Sequence, residues 1–322
     1  MNIELLRNKI VDKEKKRILL ANIEDTLENK DDICDVNCRG VGRIRHYKDF
    51  KLFLCNKNGK KRKLLRGYNP ANEIIDTQVY QIVGCNWRCW YCFVDDEILS
   101  GNTSKCQWLT IEELIDTFLE QNLDIIDLSG GQPDLVPEWC LWVMQELEKR
   151  GYRGKKYIWL DDNLSTSSIL ESQLSSQEIK YMADYPLHSR ACCFKGFSDN
   201  TIQFNIQNKK IKIAEQIKCF EKLYNYGFDL YAYITLTAQK GSYTKEEVDV
   251  FVRKIQEINY NLPLRIIPLE IRDFTATSNR IRQTYHEAYQ EQYKVYDIWN
   301  DIMHKYYSVD DIERQFEEIE IR

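Results

Sequence analysis

The chain has 322 residues, 43% hydrophobic and 30% charged, with a formal net charge of -5. That length and apolar share exclude a disordered tail and a small disulfide scaffold, and allow one large α/β domain or two smaller ones. No apolar run is long enough to cross a bilayer and the N-terminus is rich in charge, so the chain reads as a soluble, cytoplasmic protein without membrane contact whose eleven cysteines are free, catalytic or metal-bound.

The first 72 residues form an N-terminal extension. Residues 3–29, "IELLRNKIVDKEKKRILLANIEDTLEN", are expected to form a charged helix, followed by a cysteine-containing loop. From Arg39 to Arg66 eleven Lys/Arg stand against the single acid Asp49, a net +10 that leaves -15 for the rest of the chain. Within it, "KLFLCNKNGKKRKLL" places two strand-like arms about Asn58-Gly59, a hairpin signal. The segment is either a solvated hairpin or a polyanion-contacting surface.

Residues 73–274 alternate short strand-like runs with amphipathic helices. The expected strands are Ile74–Val83, Asp124–Leu128, Tyr157–Leu160, Arg190–Lys195, Asp229–Thr235 and Leu264–Leu269. Thr110 with Glu113 and Thr244 with Glu247 are capping boxes that open the helices between them, and Gly151 and Gly227 follow helical runs where a left-handed cap is wanted. The alternation predicts parallel β/α units. Residues 275–322 form a C-terminal extension, in which "SNRIRQTYHEAYQEQYKVYDIWNDIMHKYY" reads as one helix with an aromatic packing stripe.

Cys85, Cys89 and Cys92 in "GCNWRCWYCF" follow the first core strand, and loops at strand C-terminal ends are where β/α active sites assemble. Three local thiolates on a four-iron cluster leave one iron without a protein ligand, whereas a zinc site needs a fourth ligand from a distance. Both readings are open on the triplet alone. At the end of the next strand stands "DLSGGQPDL", whose paired glycines, Gly130 and Gly131, let backbone approach a neighbour closely.

In that order, these two motifs resemble the radical S-adenosylmethionine superfamily, and within it the compact branch that includes pyruvate formate-lyase activating enzyme. The resemblance covers roughly residues 73–272. It implies an α/β fold, a partial (β/α)6 TIM-like barrel, one [4Fe-4S] cluster on Cys85, Cys89 and Cys92, and S-adenosylmethionine on the open iron. Reductive cleavage would give a 5′-deoxyadenosyl radical that abstracts hydrogen from a protein, peptide or nucleotide substrate, with reduced flavodoxin or ferredoxin as electron donor. It further implies that Tyr91 lies against adenine and that Ser129, Gly130, Gly131 and Gln132 hold the methionine end. Gln132 stands where the family has Glu, so its amide oxygen would accept from the ammonium without charge assistance.

Later strand ends offer Asp162 and Asn163 for the ribose or methionine carboxylate, Lys195 for a carboxylate, and Thr235, Thr237, Glu270 and Arg272 for the substrate pocket. Asp162 and Asn163 serve equally well as helix caps, and Lys195 as a surface lysine. Cys34 and Cys38, with Cys55 or Cys106, are candidates for an auxiliary metal; ordinary thiols are the alternative. Cys192 and Cys193 are adjacent in a strand and face opposite sides. A reading from another class is a zinc-binding module that contacts nucleic acid through segment 39–66.

Overall fold

The computed structural model describes residues 2–31, 34–47, 68–69, 74–101, 104–314 and 318–322. The expected hairpin about Asn58-Gly59 and Cys55 lie outside the described residues. Strands are numbered in chain order: β1 Val11–Asp12, β2 Arg17–Ala21, β3 Cys34–Asn37, β4 Gly42–Tyr47, β5 Tyr68–Asn69, β6 Ile74–Ile82 and β7 Cys106–Thr110. The later ones are β8 Ile125–Gly130, β9 Tyr157–Asp162, β10 His188–Phe194, β11 Leu230–Thr235 and β12 Ile266–Leu269.

β6, β8, β9, β10, β11 and β12 pair in that order, every pair parallel. Helices Ile111–Glu120, Pro137–Lys149, Ser176–Ala183, Ile213–Tyr226 and Lys245–Ile258 lie between them in the chain. Both expected capping boxes are present, and Gly227 closes its helix at φ 99°. β12 pairs with β11 alone among the described residues, so the sheet stays open and forms a partial barrel.

The N-terminal residues enter the same sheet. β4 lies antiparallel along β6, from Gly42 against Tyr80 to Tyr47 against Ile75, and β3 pairs outside β4. Because successive side chains in a strand alternate faces, β4 sends Arg45 and Tyr47 to the concave side of the sheet and His46 to the outside.

One expected element is corrected. The helix from Ile3 does not run to Asn29 but stops at Ile10. The Asp12 carboxylate accepts from the Lys15 N–H at 3.1 Å and from Arg17 at 2.8 Å, and Lys16 adopts φ 43°, which closes a turn. The apolar run Ile18–Ala21 is then buried as β2, paired with β7 and, at Leu20, with Ile82. Four consecutive apolar residues bury better in a sheet than round a helix with charges on every side. The C-terminal helix is present as expected, Ser278 to Tyr306, with a wide π turn over Ile281–Tyr285.

No helix among the described residues is long and apolar enough to cross a membrane.

Candidate active site

The cysteine loop leaves β6 at Gly84. Its first residues are anchored by backbone bonds from Gly84 to Ile98 (3.0 Å) and from Cys85 to Leu99 (2.9 Å), and the Cys92 N–H closes a turn on Cys89 (3.0 Å). The backbone of Trp90 donates to the Asn205 carbonyl at 3.0 Å, and its indole to the Asn205 side chain at 2.9 Å. Asn205 is fully buried and in turn donates to the carbonyls of Lys195 and Thr237, each at 2.9 Å. One amide therefore ties the loop to the ends of β10 and β11.

Cys85 is buried, while Cys89 and Cys92 are half-buried. The Cys85 sulfur accepts from the Trp87 N–H at 3.4 Å and from the Asn163 amide at 3.7 Å. Burial, reinforced by Cys89, pushes the Cys85 thiol up to about 11, and the same causes raise Cys92. Left alone these thiols keep their protons; a cationic centre is what would draw them to thiolate. Among the described residues no three His, Cys, Asp or Glu converge where a single ion could sit.

The glycine turn packs against this loop and does not stand open to solvent. A Cβ on Gly130, where φ is 99°, would lie 2.0 Å from Gln81, and one on Gly131 would lie 1.9 Å from the Gly84 carbonyl. The Gly131 N–H donates to Ile82 at 3.0 Å and the Gln132 N–H to Gly84 at 2.8 Å. The glycines are thus required for the two loops to meet.

Gln132 is buried with both ends of its amide engaged. It donates to Asp162 and Thr166, each at 2.9 Å, and its oxygen accepts from the Asn163 N–H at 2.9 Å. Asp162 faces away from the concave side, where it also accepts from the Leu164 N–H at 2.8 Å and lies 3.6 Å from Arg190. Burial, then the neighbouring Asp134, pushes its carboxyl up to about 6. The residue that β9 turns inward is Asp161, and Asn163 reaches back to Asn86 at 3.2 Å as well as to Cys85.

Lys195 is half-buried and forms no ion pair among the described residues. Burial works against its charge, but Cys193, Tyr91, Cys89 and Cys85 face it and hold the ammonium well above its usual range. The Lys195 backbone is fixed by Gln216, which accepts its N–H at 2.9 Å while donating to the carbonyls of Asn163 (2.7 Å) and Cys193 (2.9 Å). Tyr91 is buried with its hydroxyl 2.9 Å from that of Thr235. Ser129 donates to Asp161 at 2.5 Å. Thr237 is buried on Asn205, whereas Glu270 and Arg272 are exposed and paired with each other at 3.3 Å.

Beneath this rim the concave face of the sheet, its lumen side, carries a cluster of polar and aromatic side chains. Tyr47 stacks on Trp159 with centroids 5.1 Å apart and donates to Asp127 at 3.1 Å. Asp127 opens the glycine-turn stretch, where nothing local gives it a role, and Tyr47, Arg45, Trp159 and Asp161 belong to neither of the two motifs. Only the period of two in each strand, combined with knowledge of which face is concave, could have found them.

Both chain ends brace the site from outside. Arg7, on the first helix, donates to Glu138 at 2.9 Å and to the Leu135 carbonyl just after the glycine turn. Arg280 donates to the Cys92 carbonyl, and Tyr285 stacks on Trp90 at 4.5 Å. Arg88, Cys89, Trp90, Arg280 and Tyr285 line a surface cavity of about 490 Å³.

Cys38 contacts Tyr80 at 3.7 Å and Thr117 at 3.9 Å, and Cys140 and Cys219 are buried core thiols. Cys192 is buried on one side of β10 while Cys193 faces the lumen.

The family model described as the radical SAM superfamily matches residues 79–255. No curated protein matches. Among solved structures, SuiB of Streptococcus suis bound to its precursor peptide SuiA is 14% identical, with 56% of this chain and 36% of that chain covered and a TM-score of 0.40. A radical SAM methyltransferase from Sphaerobacter thermophilus is 11% identical over 80% of this chain and 73% of its own, with a TM-score of 0.38. The methyltransferase TsrM of Kitasatospora setae, with cobalamin and a [4Fe-4S] cluster bound, is 9% identical over 66% of this chain and 51% of that one, with a TM-score of 0.40. The chain thus spans about a third of SuiB. The family match is at the level of the superfamily, and the likeness to the pyruvate formate-lyase activating enzyme branch rests on the motifs alone.

Proposed function

The chain belongs to the radical SAM superfamily, and from that premise we propose that it binds one [4Fe-4S] cluster through Cys85, Cys89 and Cys92 and S-adenosylmethionine across the ends of β8 to β11. The observation that carries this reading is the meeting of the three thiols, the glycine turn and Lys195 at one rim above the polar lumen side of the sheet. The donor set fits: three thiols lie on one short loop, and the Cys85 sulfur already accepts from the Trp87 N–H of that loop and from the Asn163 side-chain amide.

When bound, the pair of cofactors supplies one-electron cleavage of the sulfonium bond and a radical that takes hydrogen from the substrate. The protein's residues bind, orient and exclude water. Lys195, with no carboxylate partner among the described residues, would receive the methionine carboxylate. Gly130 and Gly131 set the distance between the turn and the cysteine loop. Gln132 acts indirectly, holding Asn163 against Cys85, which differs from the expectation that its oxygen faces the ammonium. Tyr91, fixed by Thr235, would close one side of the adenine site. An external reductant, flavodoxin or ferredoxin, would reach Cys89 from the surface cavity.

The test is anaerobic purification with iron and sulfide reconstitution, then dithionite and S-adenosylmethionine. A brown protein that forms 5′-deoxyadenosine, lost in Cys89→Ala, is the expected result. A colourless protein that retains zinc and forms none would overturn the proposal, since a structural zinc site is built differently.

A further inference from the structure

The floor of the lumen holds charge that the rim does not use. Arg45 pairs across to Thr77, well below the end of β6, and its guanidinium lies 4.7 Å over the Tyr47 ring. Asp127, Asp161 and Tyr233 act on it electrostatically, yet it forms no ion pair or hydrogen bond among the described residues. Arg45 is half-buried, and the buried arginines behave otherwise: Arg7 ends on Glu138 at 2.9 Å, Arg43 on Glu28 at 2.8 Å, and Arg190 on Asp134.

Asp127 does not fill the gap. It is fully buried; one oxygen accepts from Tyr47 and Oδ1 has no partner among the described residues. The oxygens of Asp161 are both taken, by Ser129 at 2.5 Å and by the Trp159 indole at 3.2 Å. The floor therefore combines a planar five-donor cation over an aromatic stack with one unused acceptor near it. A buried polar group without a partner is costly, and a guanidinium fork suits two oxygens of one anion.

We infer that Arg45 receives an oxyanion of the substrate, carboxylate or phosphate, while Asp127 Oδ1 takes an N–H or O–H donor adjacent to it. This rests on the function proposed above for the rim, and it narrows the substrate class to molecules whose inserted end carries such an anion next to a donor. An amino-acid end, with carboxylate and ammonium on one carbon, matches the pair of groups; a phosphate ester with a neighbouring hydroxyl is the other source of the same chemistry.

The full chain is titrated calorimetrically with sodium acetate, glycine, inorganic phosphate and methylammonium chloride at constant ionic strength. Saturable binding of an anion is expected, weakened at least tenfold by Arg45→Met and partly restored by Arg45→Lys, with circular dichroism checking that each variant is folded. Asp127→Asn is expected to weaken glycine several-fold and leave acetate unchanged. Preference for acetate and glycine over phosphate identifies a carboxylate substrate, and the reverse a phosphate. Absence of saturable anion binding, equal binding by wild type and Arg45→Met, or methylammonium binding as tightly as acetate overturns the inference. Iron content reports on the rim separately: Cys89→Ala should lose iron while keeping the anion titration. A wild-type chain that never takes up iron but still binds acetate through Arg45 sinks the rim's proposed function and leaves the anion site standing.

Discussion

Arg280 donates to the carbonyl of Cys92, 188 positions earlier in the chain, so the C-terminal helix holds the turn that carries the third thiol. The same guanidinium accepts a second restraint, donating to Ala276 at 3.1 Å. Hydrogen bonds from a charged donor contribute about 1.5–3 kcal/mol each. Arg280→Met is expected to leave the fold intact, lower the midpoint of chemical denaturation, and shorten the life of a reconstituted cluster in air several-fold. Arg280→Lys should recover part of that lifetime; iron and sulfide assays over time are the check.

Gly131 is the point of closest approach between the two motif loops. Its substitution by alanine places a carbon 1.9 Å from the Gly84 carbonyl, a distance that only displacement of one loop can relieve. Overpacking of this kind costs about 1–3 kcal/mol. Urea denaturation of Gly131→Ala should show that loss, and S-adenosylmethionine binding by the reconstituted protein should fall at least tenfold. Full retention of binding would show that the contact is dispensable.

Gln132 stands where the family has Glu, and its neighbours give a reason. A carboxylate there would face Asp162, which now accepts the Gln132 amide at 2.9 Å. Gln132→Glu is therefore expected to destabilise the chain by about 1–3 kcal/mol, more at pH 8 than at pH 5. The sign follows from Asp162, already raised by burial: below its folded value near 6 it can take a proton and relieve the repulsion, and above it cannot. Thermal melts across that range measure the difference.

His46 offers a test of β4 on its outer face. Its ring lies 2.6 Å from Asp76 and 3.4 Å from Asp35, and the bond to Asp76 holds its pKa above the ordinary histidine range. A raised folded value means the contribution is full below the unfolded pKa and fades as pH rises through the folded one. The pair is partly exposed and screened, so no more than about 1 kcal/mol is expected. The stability gap between wild type and Asp76→Asn, measured in urea, should be largest near pH 6 and close by pH 9.

Local chemistry was legible in the chain; pairing across distance was not. Three thiols within eight residues and a Gly-Gly turn one β/α unit later disclose themselves, because each is a short-range pattern. The choice between Asp161 and Asp162 depends on strand parity, and only the sheet tells which parity faces inward. Arg45 and Tyr47 enter the lumen because β4 pairs antiparallel with β6, a contact no periodicity announces. Asn205 and Gln216 are polar residues on helices with no local signal around them, yet they connect the loop and strand ends that build the rim. The first helix was overrun because Lys13–Arg17 is rich in helix formers, and the turn made by Asp12 outweighed that propensity.

Arg7 and Arg280 lie far apart in the chain, one reaching the carbonyl just after the glycine turn and the other that of Cys92. A chain cut just before Arg280 would carry every thiol and every glycine, yet lack the clasp on Cys92. The thiols and the residue that fastens their loop are therefore separable by truncation, although they meet in the fold.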